Sequence, residues 1–259
     1  MNEDFGRGPD FGNEGNPPAR SRSVASTVIK VFIGIGIAGV VVAMLLPAVR
    51  SARPAAFRNS CSNNLKQIAI AILDYADKYH ELPPAYTTDA NGKPLHSWRT
   101  LILPFIEERR LYESINLTKP WDDPANAKAL NTHLSAYTCP ASTGDPDNRT
   151  TYLAVVTPTS CLQPSKSKTL SDITDGVNKT LMVIEVDTDH AVPWMAPIDA
   201  DENVVVGIGP NSKLAHDSGF TAAFVDGHVE FLFTDLPAAQ RRALISAAGN
   251  DNAALEGEK

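Results

Sequence analysis

The sequence predicts an α+β protein, in which a long N-terminal transmembrane and stalk helix leads into a body of short helices and antiparallel strands. Three observations carry this expectation. Val31–Val49 is an apolar run without a charge. Leu65, Ile68, Ala69, Ile72, Ala76 and Tyr79 recur at helical spacing, and Gly219–Phe233 alternates with period two around Asp226-Gly227.

Taken in order, residues 1–23 repeat Asp-Phe-Gly among Gly, Asn and Pro, with too little apolar surface to fold, and read as a disordered arm. Residues 24–49 read as the transmembrane helix. A hydrocarbon core needs about 20 apolar helical residues, and Lys30 near the edge could snorkel to the headgroups. Arg20, Arg22 and Lys30 on one side match Arg50, Arg53 and Arg58 on the other, so charge alone sets no orientation. Residues 50–82 read as a stalk helix that continues into the body and stops at Pro83-Pro84, with kinks expected at Pro47 and Pro54.

The body is expected over residues 83–248 and a loose tail over 249–259. Trp98–Leu117 carries an imperfect helical stripe broken by Pro104, Pro124–Leu134 suits a short helix, and Leu236–Ala248 suits another. Thr151–Val156, Thr180–Val186 and Val204–Ile208 are rich in β-branched residues and read as strands. Asp226-Gly227 reads as a two-residue hairpin turn. That turn would pair 224 with 229 and 222 with 231, placing Phe220, Ala222 and Phe224 on one buried face with Val229, Phe231 and Phe233.

The formal net charge is −7, and the acidic excess lies beyond residue 60, which argues against nucleic acid as a partner. No nucleophile elbow, zincin helix, phosphate loop or dinucleotide fingerprint occurs, so no enzyme is expected.

A series of short motifs carries a more specific signal. Leu45-Leu46-Pro47-Ala48-Val49 is followed by Cys61-x-Asn63-Asn64-Leu65-Lys66-Gln67-Ile68, then Leu82-Pro83-Pro84 and Ser97-Trp98-Arg99. Next come Leu103-Pro104-Phe105-Ile106-Glu107, Leu111-Tyr112, Cys139-Pro140, and His216 nine residues ahead of Asp226-Gly227. In this order they resemble the bacterial prepilin-like family of unknown function marked by an H-X9-DG motif, related through its N-terminal helix to type II secretion pseudopilins. The resemblance implies a pilin-like fold with the long helix packed on a mainly antiparallel sheet. It also implies a single-pass inner-membrane protein with a cytoplasmic N-terminus and an extracytoplasmic body. Its role would be structural, through the membrane and other envelope proteins or like subunits. The chain departs from the pattern where prepilins are processed: Ala25, Ser26 and Lys30 stand where glycine, an aromatic residue and glutamate are expected. A lysine at that place opposes a neighbouring amino terminus in low dielectric, which points to an unprocessed tether. The alternative is a membrane-tethered module that binds a ligand or surface polymer.

Of Cys61, Cys139 and Cys161, the first and second match the family, so a Cys61–Cys139 disulfide is expected on that resemblance, leaving Cys161 free. The H-X9-DG residues have a plain reading, in which Asp226-Gly227 makes the turn and His216 closes the loop into it. They also have a metal reading, in which His216, Asp217, Asp226 and His228 converge. Imidazoles suit a transition ion better than calcium, which prefers six to eight oxygens. No other cofactor is expected. Asp172 and Asp175, before the Thr180–Val186 strand, read mainly as turn caps with a calcium role as the alternative, and Glu185 as an edge or paired carboxylate.

Overall fold

The computed structural model describes residues 24–142 and 148–249, so the arm and the end of the tail lie outside the described residues. The chain divides into two compact units, Met1–Arg50 and Ser51–Lys259. Helix α1 is Val24–Tyr79.

Within the first unit the described large apolar side chains between Val28 and Val41 are all exposed. Among the described residues, however, no helix is long and apolar enough to cross a membrane, which corrects the transmembrane assignment of residues 24–49 and the pilin-like fold built on it. Crossing requires about 20 consecutive apolar residues. The described apolar side chains here run from Val31 to Ala43, Gly34, Gly36 and Gly39 interrupt them, and the side chains of Ala38, Val42 and 44–53, Pro47 among them, are outside the described ones.

In the second unit α1 presents a buried stripe of Cys61, Leu65, Ile68, Ala69, Ile72 and Ala76. Tyr79 instead lies half exposed against Tyr75, and the helix ends there with His80 at positive φ. Two small ribbons follow the helix in sequence and space. One pairs β1 (Tyr86–Thr88) with β2 (Pro94–Ser97), and the other pairs β3 (Arg149–Thr150) with β6 (Val192–Pro193). The main sheet is antiparallel, with β4 (Tyr152–Ala154), β5 (Leu181–Glu185), β7 (Gly219–Phe224) and β8 (Val229–Phe233) in that spatial order.

The helical stretch expected over 98–117 is divided as Pro104 dictates. It forms α2 (Trp98–Leu101), capped by Ser97, a 3-10 turn at Leu103–Phe105, and α3 (Arg109–Ser114). From Pro124 the chain makes a 3-10 turn capped by Asp123 and then only α4 (Ala127–Leu130). Val204–Ile208 is a correction. It belongs to α5 (Glu202–Gly207), because the Asp201 carboxylate accepts a hydrogen bond from Val204 N and caps a helix that the β-branched residues alone would not favour. The last helix is α6 (Ala238–Ala243).

The hairpin differs from its expected register by one residue. Ala223 pairs with Val229 and Phe220 with Leu232. Phe224 N donates to His228 O and Gly227 N to Phe224 O, so three residues span the turn, with Gly227 at φ +84°. The extra residue, Val225, is fully buried and its N donates to Thr180 O. A one-residue slip exchanges faces. Phe220, Ala222 and Phe224 therefore join Leu232, Leu153 and Ile184 in a core with Val205, Leu244 and Ile245. Tyr152, Val183, Ala223 and Val225 pack with the α1 stripe. β7 is buried along its whole length, so neither of its faces meets solvent.

Candidate functional site

The site grows from the row of side chains that the sheet aims at the buried stripe of α1. Tyr152 on β4 is the cross-strand partner of Glu185 on β5, and Thr221 on β7 follows the Ile184–Ala222 pair next in register. Thr221 in turn pairs with Phe231 on β8. A polar row thus lies inside an otherwise apolar layer. Glu185 is 1% exposed, and no hydrogen bond of normal geometry reaches either of its carboxylate oxygens, nor the Tyr152 or Thr221 hydroxyl. Burial pushes the Glu185 carboxyl up to about 7, although the polar groups of Thr221 beside it partly offset that rise.

Against this row stands the loop entering β7. His216 is buried, with Nε2 3.5 Å from Glu185 Oε2 and 3.7 Å from Cys139 Sγ. Burial and the Arg58 guanidinium hold its imidazole below the usual histidine range, opposed in part by Asp217. The ring is therefore neutral at pH 7 and able to offer a lone pair. Arg58 itself lies over the Phe231 ring at 4.2 Å. Cys61 of α1 is joined to Cys139 by a disulfide, 78 positions apart in sequence. One ligand atom from each of Cys61, Cys139, Glu185 and His216 falls within 4.8 Å of the others.

The other motif residues go elsewhere. Asp226 and His228 pair with each other at the turn, Oδ1 to Nδ1 at 2.5 Å, while the two rings of His228 and Phe224 stack. Burial alone would raise the Asp226 carboxyl, but the hydrogen bonds and charge of His228 hold it below the usual range. Asp217 is exposed. The four-residue set of His216, Asp217, Asp226 and His228 does not converge, and His216 meets the cysteines and Glu185 instead. Asp172 completes a capping box with Thr169, and Asp175 accepts from Gly249 N. Glu185 was visible in the sequence as the one carboxylate in an apolar strand. Its partners were not, because they come from three other places in the chain.

The remaining motif residues fasten α1 to the body. Asn64 Nδ2 donates to Ser135 O and Thr138 O, Lys66 Nζ donates to Gly227 O, and Leu65 is fully buried. Asn63, Gln67 and Pro140 are exposed. Trp98 is buried, and its Nε1 donates to Asp199.

Residues 50–161 match a family model described as a protein of unknown function (DUF1559). That stretch holds the lower half of α1, the tryptophan and arginine of α2, and both bonded cysteines, but neither Glu185 nor His216. No curated protein and no solved structure matches the chain.

Proposed function

We propose that this protein is a non-enzymatic assembly or interaction protein of the bacterial cell envelope, of the prepilin-like kind that its motif series resembles, with its folded body outside the cytoplasm. The observation that carries the reading is the segment Val28–Val41 of α1. Its large apolar side chains are exposed, Phe32 at 69% and Ile35 at 64%, on more than one side of the helix. A contiguous apolar surface of this kind marks a place where another surface docks. The Cys61–Cys139 disulfide supports the location, since such bonds persist in oxidising compartments.

Lys30 lies inside this segment and bears on the mode of assembly. A row of identical subunits would stack like charges in an apolar setting, so contacts with a different envelope protein are favoured over a homopolymer. Photo-crosslinking residues placed at Ile33 and Ile37 of the full chain in cells test the reading. Adducts with one or a few discrete envelope proteins are expected. Adducts with lipid alone, or none, overturn it.

A second reading, an envelope module that binds a ligand, draws on the cluster of Cys61, Cys139, Glu185 and His216.

A further inference from the structure

We propose that Cys61, Cys139, Glu185 and His216 form a redox-gated site for a zinc-class transition ion, closed by the disulfide and opened by its reduction. The inference goes beyond the assembly reading and does not depend on which partner meets the apolar helix segment.

The geometry is the first argument. A tetrahedral zinc with sulfur at about 2.3 Å and nitrogen or oxygen at about 2.0 Å sets neighbouring ligand atoms roughly 3.3–3.8 Å apart. His216 Nε2 already stands 3.7 Å from Cys139 Sγ and 3.5 Å from Glu185 Oε2. The fourth ligand, Cys61 Sγ, is within the same 4.8 Å cluster, on a pair of cysteines whose Cα atoms are 5.3 Å apart. Once the sulfur–sulfur bond is broken, rotation about the side-chain bonds of the two cysteines can open the sulfurs to that spacing without moving the backbone.

The second argument is the unpartnered carboxylate. A buried charge with no hydrogen bond costs several kcal/mol unless it is neutralised or meets a cation. Glu185 is such a group, aimed into the cluster, with the unpartnered Tyr152 hydroxyl across the strand pair. In the disulfide state its polar neighbours are His216 Nε2 at 3.5 Å and Thr221, and neither completes a hydrogen bond to it. An ion at the centre of the cluster gives it a partner, and the Tyr152 hydroxyl can then hold its second oxygen in the way outer-shell groups orient metal ligands.

Charge and access agree. Two thiolates, one carboxylate and a neutral imidazole around a divalent ion leave one negative charge, and the Arg58 guanidinium near His216 offsets it. His216 lines a cleft of about 220 Å³ together with Phe57, Arg58, Ala141, Ala215 and Asp217, which offers a way in. The donor set of two sulfurs, one nitrogen and one oxygen suits zinc and not calcium or magnesium.

The chemistry balances with a dithiol as reductant. Exchange transfers the disulfide to the reductant, leaving Cys61 and Cys139 as two thiols. Binding of the ion then releases both thiol protons as two metal–sulfur bonds form. Exchange with an incoming disulfide reverses the step: the two thiolates re-form the Cys61–Cys139 bond, the incoming disulfide takes up two electrons and two protons to leave as a dithiol, and the ion is released. Cys161 plays no part, because burial pushes its thiol up to about 12 and its Sγ bonds Leu181 O.

Cobalt(II) titration of the full chain tests the proposal, with and without prior reduction by a dithiol under anaerobic conditions and removal of the reductant. One equivalent binding to the reduced chain is expected, with the visible bands of tetrahedral cobalt and its thiolate charge transfer, and none to the oxidised chain. His216→Gln and Glu185→Gln should each weaken binding by at least about tenfold. Should reduction melt the body, cobalt should restore the far-ultraviolet dichroism in the parent chain and not in H216Q. Octahedral or absent cobalt bands, equal binding to the oxidised chain, binding indifferent to both substitutions, or a reduced body that cobalt does not refold would each overturn the proposal.

Discussion

Lys66 Nζ donates to the Gly227 carbonyl oxygen at 2.5 Å, so the turn that ends the H-X9-DG motif is held directly by α1. The other end of the motif, His216, contacts Cys139, which is bonded to Cys61 one turn earlier on the same helix. Both ends of the motif thus meet the same helix, on different sides of it. That gives the spacing a structural reason: it is the length of one strand, β7, plus its entry and turn.

Gly227 sits at φ +84°, and a Cβ there would meet Leu73 Cδ1 of α1 at 3.0 Å. Gly227→Ala should therefore lose about 1–2 kcal/mol through left-handed strain and crowding of the helix. Gly219→Ala should cost more, because its Cβ would fall 2.4 Å from the Leu232 carbonyl oxygen, which is backbone and cannot turn aside. Lys66→Met should cost about 1 kcal/mol. Chemical denaturation of the three variants in parallel gives the ranking.

Arg99 is fully buried and fully used. Its Nη1 binds Asp199 at 2.7 Å and the Tyr152 carbonyl, Nε binds Trp194 O, and Nη2 binds Ala196 O and Ile198 O. The Asp199 carboxylate also accepts from Trp98 Nε1 and Ala154 N. This knot ties α2 to the sheet and to the loop at 194–199. Arg99→Ala strands a buried carboxylate and should cost about 3–5 kcal/mol. Arg99→Lys should recover little, since an ammonium cannot span five acceptors in one plane. The pair Arg99→Met with Asp199→Leu should be more stable than R99A alone, as thermal unfolding would show.

Much of this architecture was legible because it follows local rules. The buried stripe of α1, the break at Pro104 and the strands around Leu153 and Ile184 all follow from periodicity and proline chemistry. What failed were choices decided by distant contacts. The Asp226-Gly227 turn takes a third residue because Val225 is bound by Thr180 O. The β-branched run 204–206 becomes helical because Asp201 caps it. Glu185 stood out as a lone carboxylate, yet nothing near it in sequence named Cys61, Cys139 or His216 as its company. The membrane assignment draws on the apolar run and on the motif resemblance, and among the described residues no helix meets the requirements for crossing.

The Cys61–Cys139 bond closes a loop with a sequence separation of 78. Chain entropy for a loop of that length is worth about 4.5 kcal/mol, so replacing both cysteines by serine should lower stability by about 2–5 kcal/mol in the absence of metal. Asn64 holds the same junction through two carbonyls, Ser135 O and Thr138 O, so Asn64→Ala should cost about 1–2 kcal/mol more in the serine background. Urea midpoints of the single and combined variants measure both terms. A combined loss equal to either one alone would mean that the two fastenings open together.

His96 sets the acid side of the stability profile. It is fully buried on β2, and neither ring nitrogen completes a hydrogen bond. Burial holds its imidazole below the usual histidine range, and the backbone at Lys119 and Asn116 pulls it only partly back. The unfolded chain takes up this proton near pH 6.5, whereas the folded chain resists it. The stability this neutral ring contributes is therefore complete above about pH 6.5 and is lost as the pH falls through the lower folded value. His96→Phe removes both unpartnered nitrogens and the titration together. The variant should show a shallower fall in denaturation free energy than the parent between about pH 7 and pH 5, the residual slope being the difference between His216, whose pKa is also held low by burial, and Glu185, whose carboxyl, pushed up to about 7, makes the folded chain gain stability as the pH falls over the same range. An unchanged slope in H96F would place the acid sensitivity elsewhere.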